Sequence, residues 1–358
     1  MKLKYLVIGA MALTMASCSN DETPSVNPDG KGNVTITVSI PSGETTRGIN
    51  DGLTANNLLF AVYDADNGND SFVVSSQETF STSPDGSLTA KIGLSLATGK
   101  KYNIAFFAAA DGVFAWAGSA DAADAVYVFD AENSKTLTVN YAKMTATGMA
   151  EDLYDCFSGL LATKMVGATN NNFSIELYRP IAQINWGTDD LDNPSINNGY
   201  AYGDKGQYIR STLTTNAYNT LNLLTNDVNT TIPMVKVVLG PFPAPSEEGL
   251  QFPVTYPVKG TDGTVTQVPY DYAGMQYLLA PRVNPAIYNL SLDINNAGNP
   301  DPESDVLSNN IIDVPSAPVQ ANYQTNIYGN LLSDDVTILV TKQEIWNPDS
   351  YDEPYPQQ

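Results

Sequence analysis

The sequence predicts an all-β protein made of two tandem β-sandwiches that follow a signal peptide and a flexible tether. Three observations support this prediction. The composition is rich in Thr, Asn, Val and Tyr, with 22 Pro and 26 Gly among 358 residues, which favours strands and turns over helices. Short segments alternate between apolar and polar residues, and Gly, Asn and Asp turns separate them. The length is sufficient for two domains of ordinary size.

The first strand pattern begins at Asn33 and ends at Ile40. Its apolar residues alternate with polar ones, which is the period of a strand with one buried face. These apolar residues are Val34, Ile36, Val38 and Ile40. Near the other end of the chain, a five-residue segment is almost a copy of residues 34–38, and its apolar residues include Val336, Ile338 and Val340. The two strands are therefore candidates for one groove, although the similarity is also what β-branched strands commonly show.

Further strand patterns divide the chain into two domains. The first is predicted over residues 33–169, with strands at residues 58–63, 88–96, 102–108 and 135–141. The second is predicted over residues 170–358, with strands at residues 173–186, 234–239, 265–268, 277–280, 287–294, 325–332 and 336–340. A short helix is predicted at residues 217–224, whereas the Gly and Asp content of the alanine-rich residues 115–125 leaves open whether they are helical.

The amino-terminal residues 1–17 have the features of a secretory signal. Lys2 and Lys4 precede an apolar run that is too short to be a stable bilayer anchor. Residues 18–32 follow as a tether of polar and turn-forming residues. The junction Met15-Ala16-Ser17-Cys18 resembles the lipobox of bacterial lipoproteins, which implies that Cys18 is lipidated. The alternative is an incidental cysteine at the end of an ordinary signal.

Charge and residue types exclude several classes of function. The formal net charge of −22 excludes a nucleic-acid partner, because the chain cannot replace the counterions around phosphates. The absence of His removes the usual general base and imidazole metal ligands. The sequence contains no phosphate-binding loop, nucleophile elbow or metal-ligand cluster. We therefore predict a non-enzyme without a cofactor or a metal, although a carboxylate pair that cleaves glycosides cannot be assigned among 39 acidic residues.

Two further features have simple structural interpretations. If Cys18 is lipidated, Cys156 has no cysteine partner, and we predict that it is a buried structural residue. The loop from Asp64 to Asp70 has a spacing of Asp and Asn that is typical of metal ligands, but it lacks the Gly and Glu that an EF-hand requires at positions six and twelve. We predict a solvated turn there, and the sequence leaves open whether it binds a metal.

Several short motifs together resemble the fimbrillin-like proteins of Bacteroidetes type V pili. They are the lipobox at Cys18, Thr45-Thr46-Arg47-Gly48 after the first strand, Leu177-Tyr-Arg-Pro-Ile-Ala182 and Tyr323-Gln-Thr-Asn-Ile-Tyr-Gly-Asn-Leu-Leu332. The similarity covers essentially the whole chain. It implies tandem sandwiches of the transthyretin-like type, and a lipoprotein that reaches the cell outer membrane. Separately, the acidic pair Asp21-Glu22 resembles the export signal of surface-exposed lipoproteins in the Bacteroidetes-type envelope.

The resemblance also implies a route of assembly. An Arg-specific protease would cut between Arg47 and Gly48 and expel the propeptide strand, residues 33–47 of the first domain. A donor strand from another copy, or from a related pilus subunit, would then fill the groove. By the resemblance, the donor is the strand of Val336, Ile338 and Val340 with part of the tail that follows, and the sequence leaves open whether the last regular strand or the tail beyond it is the donor segment. The expected final location is a surface fimbrium that serves adhesion.

Two other functions fit the same sequence. One is a surface lipoprotein that does not polymerise and binds glycans as an adhesin, with tyrosine rings as stacking faces. The candidate rings are Tyr200, Tyr202, Tyr208 and Tyr218. The other is an anchor or tip subunit of a pilus. An anchor would keep its lipid and would not need a cut at Arg47.

Overall fold

The computed structural model describes residues 30–40, 54–66, 68–84, 86–145, 153–169, 171–190, 209–245, 251–295, 310–332 and 337–344. The predicted site residues Cys18, Arg47, Gly48 and Val336 lie outside these ranges. The described residues confirm the all-β prediction, because nearly all of the regular structure is strand and the helical elements are two short 3-10 helices, Ala120–Ala123 and Tyr141–Lys143. In these ranges no helix has the length and apolar character required to span a bilayer.

The strands of the amino-terminal half are β1 (Lys31–Ile40), β2 (Asn57–Asp64), β3 (Ser71–Thr79), β4 (Ser81–Thr82), β5 (Leu88–Ala97), β6 (Lys101–Ala109), β7 (Phe114–Trp116), β8 (Tyr127–Asp130), β9 (Thr136–Val139) and β10 (Cys156–Met165). Those that follow are β11 (Asn171–Glu176), β12 (Ile181–Thr188), β13 (Arg210–Ala217), β14 (Thr220–Asn222), β15 (Asp227–Val228), β16 (Val235–Pro243), β17 (Thr255–Lys259), β18 (Val265–Pro269), β19 (Asp271–Leu279), β20 (Ala286–Asn295), β21 (Asn310–Val319), β22 (Tyr323–Asn330) and β23 (Thr337–Glu344).

These strands form five sheets and one separate hairpin. Sheet 1 has the order β11-β1-β5-β4, and sheet 2 has the order β10-β6-β2-β3. Sheet 3 has the order β15-β14-β9-β8-β7. Sheet 4 has the order β19-β12-β22-β23, sheet 5 has the order β16-β13-β20-β21, and β17 pairs with β18 alone.

Sheets 1 and 2 form the amino-terminal sandwich. The strands of sheet 1 alternate between buried and exposed residues, as β1 and β5 show. The strands β2 and β6 of sheet 2 are buried almost without interruption, because one face of this sheet packs on sheet 1 and the other on sheet 3. The ring of Phe107 in β6, for example, lies 5.3 Å from that of Tyr127 in β8.

Sheets 4 and 5 form the carboxy-terminal sandwich. The two sheets meet where Gln276 of β19 donates a hydrogen bond to Ser211 of β13. The indole of Trp186 in β12 is buried and donates to the Gln276 side chain at 2.9 Å. The core of the carboxy-terminal sandwich is continuous with the buried residues of sheet 3 and with those on the face of sheet 2 that is turned towards sheet 3. A separate cluster of buried side chains fills the space between sheets 1 and 2.

The division of the chain at residues 169 and 170 stays a prediction. The structure adds that β11, which follows this division, pairs with β1 of the first half in a parallel register. Likewise, β14 pairs with β9. Two segments of the second half therefore complete sheets of the first half.

The helix prediction for residues 217–224 is wrong. β13 ends at Ala217 and β14 occupies Thr220–Asn222, followed by a turn in which the Asn222 side chain accepts from the backbone of Leu224 and Thr225. In the alanine-rich segment at residues 115–125, only the single 3-10 turn Ala120–Ala123 is helical. The polar composition of this region also concealed β13, whose inward residues alternate with Thr and Asn.

A buried ion pair joins the chain segments that lead into β10 and β12. The Arg179 guanidinium donates to both carboxylate oxygens of Asp155, at 2.7 and 2.6 Å, and neither side chain is exposed. The guanidinium carbon also lies 4.7 Å from the ring centroid of Phe157. Because β10 belongs to the first sandwich and β12 to the second, this pair fixes the crossing between them.

Replacing only one partner of this pair should be strongly destabilising. Arg179→Met leaves the Asp155 carboxylate buried without its cation, and we expect a loss of about 3–5 kcal/mol in the free energy of unfolding. The double variant Arg179→Met with Asp155→Leu removes both charges and should recover part of that loss. Urea denaturation measures both. A single variant as stable as the natural chain would contradict this role.

Candidate functional site

The candidate site is the slot that β1 fills between β5 and β11. β1 pairs antiparallel with β5 over its whole length, from Lys31 opposite Ala97 to Ile40 opposite Leu88. On its other edge, residues 34–39 pair parallel with residues 171–176 of β11. Both backbone edges of β1 are therefore hydrogen-bonded. Without β1, two strand edges would face each other across an open slot.

The inward face of β1 is sealed in the core of the amino-terminal sandwich. Each of the four predicted side chains is at most 1% exposed, and these residues are Val34, Ile36, Val38 and Ile40. They belong to the same core cluster as Phe60 of β2 and Phe106 of β6. None of the four belongs to the larger core that contains the second sandwich. Removal of β1 would therefore open one core and leave the other closed.

The beginning of β1 is held by contacts that the sequence did not reveal. The side chain of Asn171 is 5% exposed and donates to the Asn33 carbonyl oxygen at 3.0 Å and to the Gly167 carbonyl oxygen at 2.9 Å. A Cβ atom at Gly32 would lie only 2.5 Å from the Gly167 carbonyl oxygen. Position 32 therefore requires glycine, and Asn171 fixes the register of the strand that enters the slot.

The end of β1 is closed by the chain that leaves β11. The backbone N–H of Leu177 donates to the Ser39 carbonyl oxygen at 2.8 Å. The Leu177 side chain is buried against β10, where a Cβ atom at Gly159 would lie 2.6 Å from it. The motif that begins at Leu177 thus closes the slot with its first residue, and its third residue, Arg179, forms the buried ion pair.

The predicted donor residues lie in a different part of the fold. β23 is an edge strand of sheet 4 and pairs antiparallel with β22 on one side. Val340 is fully buried in the second core, Ile338 is partly buried against it, and Leu339 is 47% exposed. Lys342 is 9% exposed, donates to the Gln320 side chain at 2.9 Å and lies 4.2 Å from the Tyr323 ring centroid.

Of the four tyrosines considered for sugar stacking, Tyr218 lies within the described residues. Its ring centroid lies 6.5 Å from that of Tyr288, and its carbonyl oxygen accepts a hydrogen bond from the Tyr141 hydroxyl at 2.7 Å. Tyr218 therefore packs between sheets. Tyr200, Tyr202 and Tyr208 lie outside the described residues.

The carboxylates of the loop from Asp64 to Asp70 are bound by protein groups. Asp64 forms an ion pair with Lys100 at 2.5 Å, and this hydrogen bond lowers the pKa of the Asp64 carboxyl. Asp66 accepts from the Lys101 backbone at 3.0 Å, and Asp70 accepts from the Asn103 side chain at 2.7 Å. Among the residues the structure describes, no three His, Cys, Asp or Glu side chains are grouped to hold a metal ion.

The thiol of Cys156 is buried at the start of β10 and forms no disulfide. Burial raises its pKa far above the ordinary value, so the thiol stays protonated at neutral pH. A protonated, inaccessible thiol is not a nucleophile. This agrees with the interpretation of Cys156 as a structural residue.

Truncation of the buried face of β1 should lower stability far more than truncation of its exposed face. Ile36→Ala removes a side chain with no exposed surface, and we expect a loss of about 2–5 kcal/mol in the free energy of unfolding. The matched control Thr35→Ala changes an exposed neighbour in the same strand and should cost less than about 0.5 kcal/mol. Equal losses in urea denaturation would show that β1 does not fill the slot.

Comparison with known proteins places the chain in a family. A protein-family model described as a family of unknown function, DUF6562, matches residues 25–357. No curated protein matches the sequence. Among solved structures, the chain is similar to a fimbrial assembly protein from Parabacteroides distasonis, with 12% identity, a TM-score of 0.44, and coverage of 90% of this chain and 99% of that one.

Two further solved structures are similar at the same level. One is the tip fimbrial protein Mfa3 from Porphyromonas gingivalis, with 12% identity, a TM-score of 0.45 and coverage of 87% of this chain and 99% of that one. The other is a putative adhesin from Bacteroides thetaiotaomicron, with 10% identity, a TM-score of 0.47 and coverage of 88% and 98%. Since the family model spans the strand that fills the slot, the two sandwiches and β23, the whole described fold belongs to one family, and the chain is a member of DUF6562.

Proposed function

We propose that this chain is a structural subunit of a surface fimbrium and that it joins other copies, or related subunits, by strand addition. The observation that carries the proposal is the position of β1. It is an interior strand of one sandwich only, and the residues that follow it contain a single basic residue, Arg47, before β2 begins. Loss of a strand in this position would expose a groove in the amino-terminal sandwich and leave the larger core intact. Another extended strand could then bind in that groove.

The processing steps follow from the sequence motifs. Lipidation at Cys18 anchors the precursor in the outer membrane, since two or more acyl chains give stable binding. A cut by an Arg-specific protease between Arg47 and Gly48 then separates β1 and its lipid from the rest of the chain. After this cut, β1 is held in the slot by non-covalent contacts alone.

Energetics explain why a covalent cut is needed. Burial of the four inward side chains contributes about 1.5–3 kcal/mol for each, and the backbone hydrogen bonds on both edges add to this. That sum is comparable to the whole stability of a typical domain, about 5–15 kcal/mol. A tethered β1 therefore stays in place. After the cut, a β1 fragment that leaves the slot diffuses away, because it is no longer connected to the chain. A strand from another subunit can then bind in its place.

β23 is the proposed donor because its inward residues match those of β1 in one register. This register places Val336, Ile338 and Val340 where Val34, Ile36 and Val38 lie in the free subunit. The donor then enters the slot only at Val336, because Asp334 would fall at the position of Gly32, which has no room for a Cβ atom beside the Gly167 carbonyl oxygen. Lys342 then falls at the position of Ile40, the last inward residue of β1. A shift by two residues would place Asp334 at the position of Val34 or Lys342 at that of Val38, so we expect a single register.

Release of β23 from its own sandwich is feasible because it is an edge strand. It pairs with β22 alone, so it loses one ladder of hydrogen bonds on leaving and gains two in the slot between β5 and β11. Both facing edges of the slot become paired again, while the edge of β22 in the donor subunit becomes exposed. The exchange thus gains one ladder of backbone hydrogen bonds and moves Val340 from the second core of the donor to the groove of the acceptor.

Arg47→Gln should prevent assembly and leave folding unchanged. Limited digestion of the purified chain with a trypsin-like protease should cut first after Arg47, and the product should form filaments that are visible by electron microscopy. The Arg47→Gln variant should stay monomeric under the same conditions. The matched control is Lys259→Gln, which changes an exposed basic residue of the β17–β18 hairpin and should assemble normally.

Amino-terminal sequencing of filaments isolated from the cell surface distinguishes a stalk subunit from an anchor subunit. Filaments whose chains begin at Gly48 support the stalk role proposed here. Filaments whose chains still begin at Cys18 would contradict it and would instead indicate an anchor subunit that keeps its lipid.

A peptide with the donor sequence should displace β1 from the cut protein. We expect a peptide of residues 335–344, in excess over the Arg47-cut chain, to release the fragment that contains β1, as measured by size-exclusion chromatography and mass spectrometry. The control peptide carries Ile338→Asp, which would bury a carboxylate in the groove and should release little. Equal release by both peptides would rule out β23 as the donor.

A further inference from the structure

A cleft lies where the amino-terminal and carboxy-terminal sandwiches meet. It is formed by the start of β12, the turn between β14 and β15, and the connection between β19 and β20. The residues that line it include Tyr178, Pro180, Leu221, Asp227, Arg282 and Ala321. On its rim, the guanidinium carbon of Arg282 lies 4.7 Å from the ring centroid of Tyr178, which is 39% exposed.

The backbone of Arg282 is fixed while its charge remains available. Its N–H donates to the Asp227 carboxylate at 3.0 Å, and its carbonyl oxygen accepts from the Gln320 side chain at 3.0 Å. Within the described ranges, its guanidinium takes part in no ion pair. An exposed Arg stacked on Tyr, beside Val283 at 74% exposure, is the type of residue group that dominates binding at protein interfaces.

The carboxy-terminal tail of the chain starts beside this cleft. β23 runs antiparallel to β22 and ends at Glu344, opposite Tyr323. The backbone N–H of Tyr323 donates to the Gln320 carbonyl oxygen at 3.2 Å, and Gln320 contacts both Lys342 and Arg282. The carboxy-terminal part of β23 therefore lies near the cleft, with Gln320 between Lys342 and Arg282.

The tail carries acidic residues that can pair with the Arg282 guanidinium. Residues 345–358 contain no basic residue, and they carry Trp346 together with the acidic residues Asp349, Asp352 and Glu353. At about 3.3 Å per extended residue, the five residues after Glu344 span about 16 Å. This length is enough for the Asp349 carboxylate to reach the cleft from the end of β23.

We propose that the carboxy-terminal tail, residues 345–358, docks on the Tyr178–Arg282 rim of its own chain. The tail carboxylates pair with the Arg282 guanidinium, and its aromatic residues pack beside Tyr178 and Val283. The proposal stands on the cleft and the tail, independently of the proposed fimbrial function. If both hold, the docked tail keeps the chain end on its own subunit until β23 is released.

Chymotryptic release of the tail tests the docking. Chymotrypsin cuts after Trp346 and Tyr351 only when the tail is free, and intact mass spectrometry gives the rate. The variants are Arg282→Glu, the tail variant Asp349→Asn with Asp352→Asn and Glu353→Gln, and the matched charge reversal Lys259→Glu. We expect Arg282→Glu and the tail variant to be cut about fivefold faster than the natural chain, and Lys259→Glu to be cut at the natural rate.

Three outcomes would overturn the proposal. The first is an unchanged rate in Arg282→Glu while thermal melting shows that the variant is folded. The second is an unchanged rate in the tail variant, which alters no residue of the described fold. The third is a natural chain whose protection disappears on tenfold dilution, since this would assign the docked tail to a second copy.

Discussion

The pairing of β1 on both edges, together with the burial of its one apolar face, is the constraint on which the amino-terminal sandwich depends. β5 and β11 do not contact each other through a ladder; each pairs with β1. Without a strand in this place, sheet 1 separates into two parts and the cluster around Phe60 and Phe106 loses one wall. The slot also selects what can bind in it. A segment that replaced β1 would have to be extended and to carry apolar side chains at alternate residues.

The contacts that hold the rest of the molecule together are largely independent of this strand. The larger core, which contains sheets 3, 4 and 5, includes no residue of β1. The buried pair of Arg179 and Asp155 fixes the crossing into the second sandwich through contacts that do not involve β1. Asn171 and the Gly167 carbonyl oxygen, which both remain after β1 has left, line the start of the slot. This framework is what the proposed exchange requires, since it would remain in a subunit that had lost its first strand.

Local patterns were sufficient for much of this fold and insufficient for the site. The alternation at residues 34–40 correctly predicted a strand with one buried face, because side-chain periodicity is a property of a few neighbouring residues. It could not show that β1 pairs in parallel with β11, since this pairing joins residues more than 130 positions apart and depends on the whole fold. β13 was missed because its outward Thr and Asn residues resemble a polar loop. The Arg179–Asp155 pair carries no sequence signal beyond the motif that contains Arg179.

The most direct measurement of the central claim is a cryo-electron microscopy map of the assembled filament, at a resolution that identifies side chains in the slot between β5 and β11. The account predicts density for residues 336–342 of a neighbouring subunit in that slot, antiparallel to β5, and no density for residues 33–40 of the same chain. Density for the chain's own Val34, Ile36, Val38 and Ile40 in every subunit of the filament would contradict it.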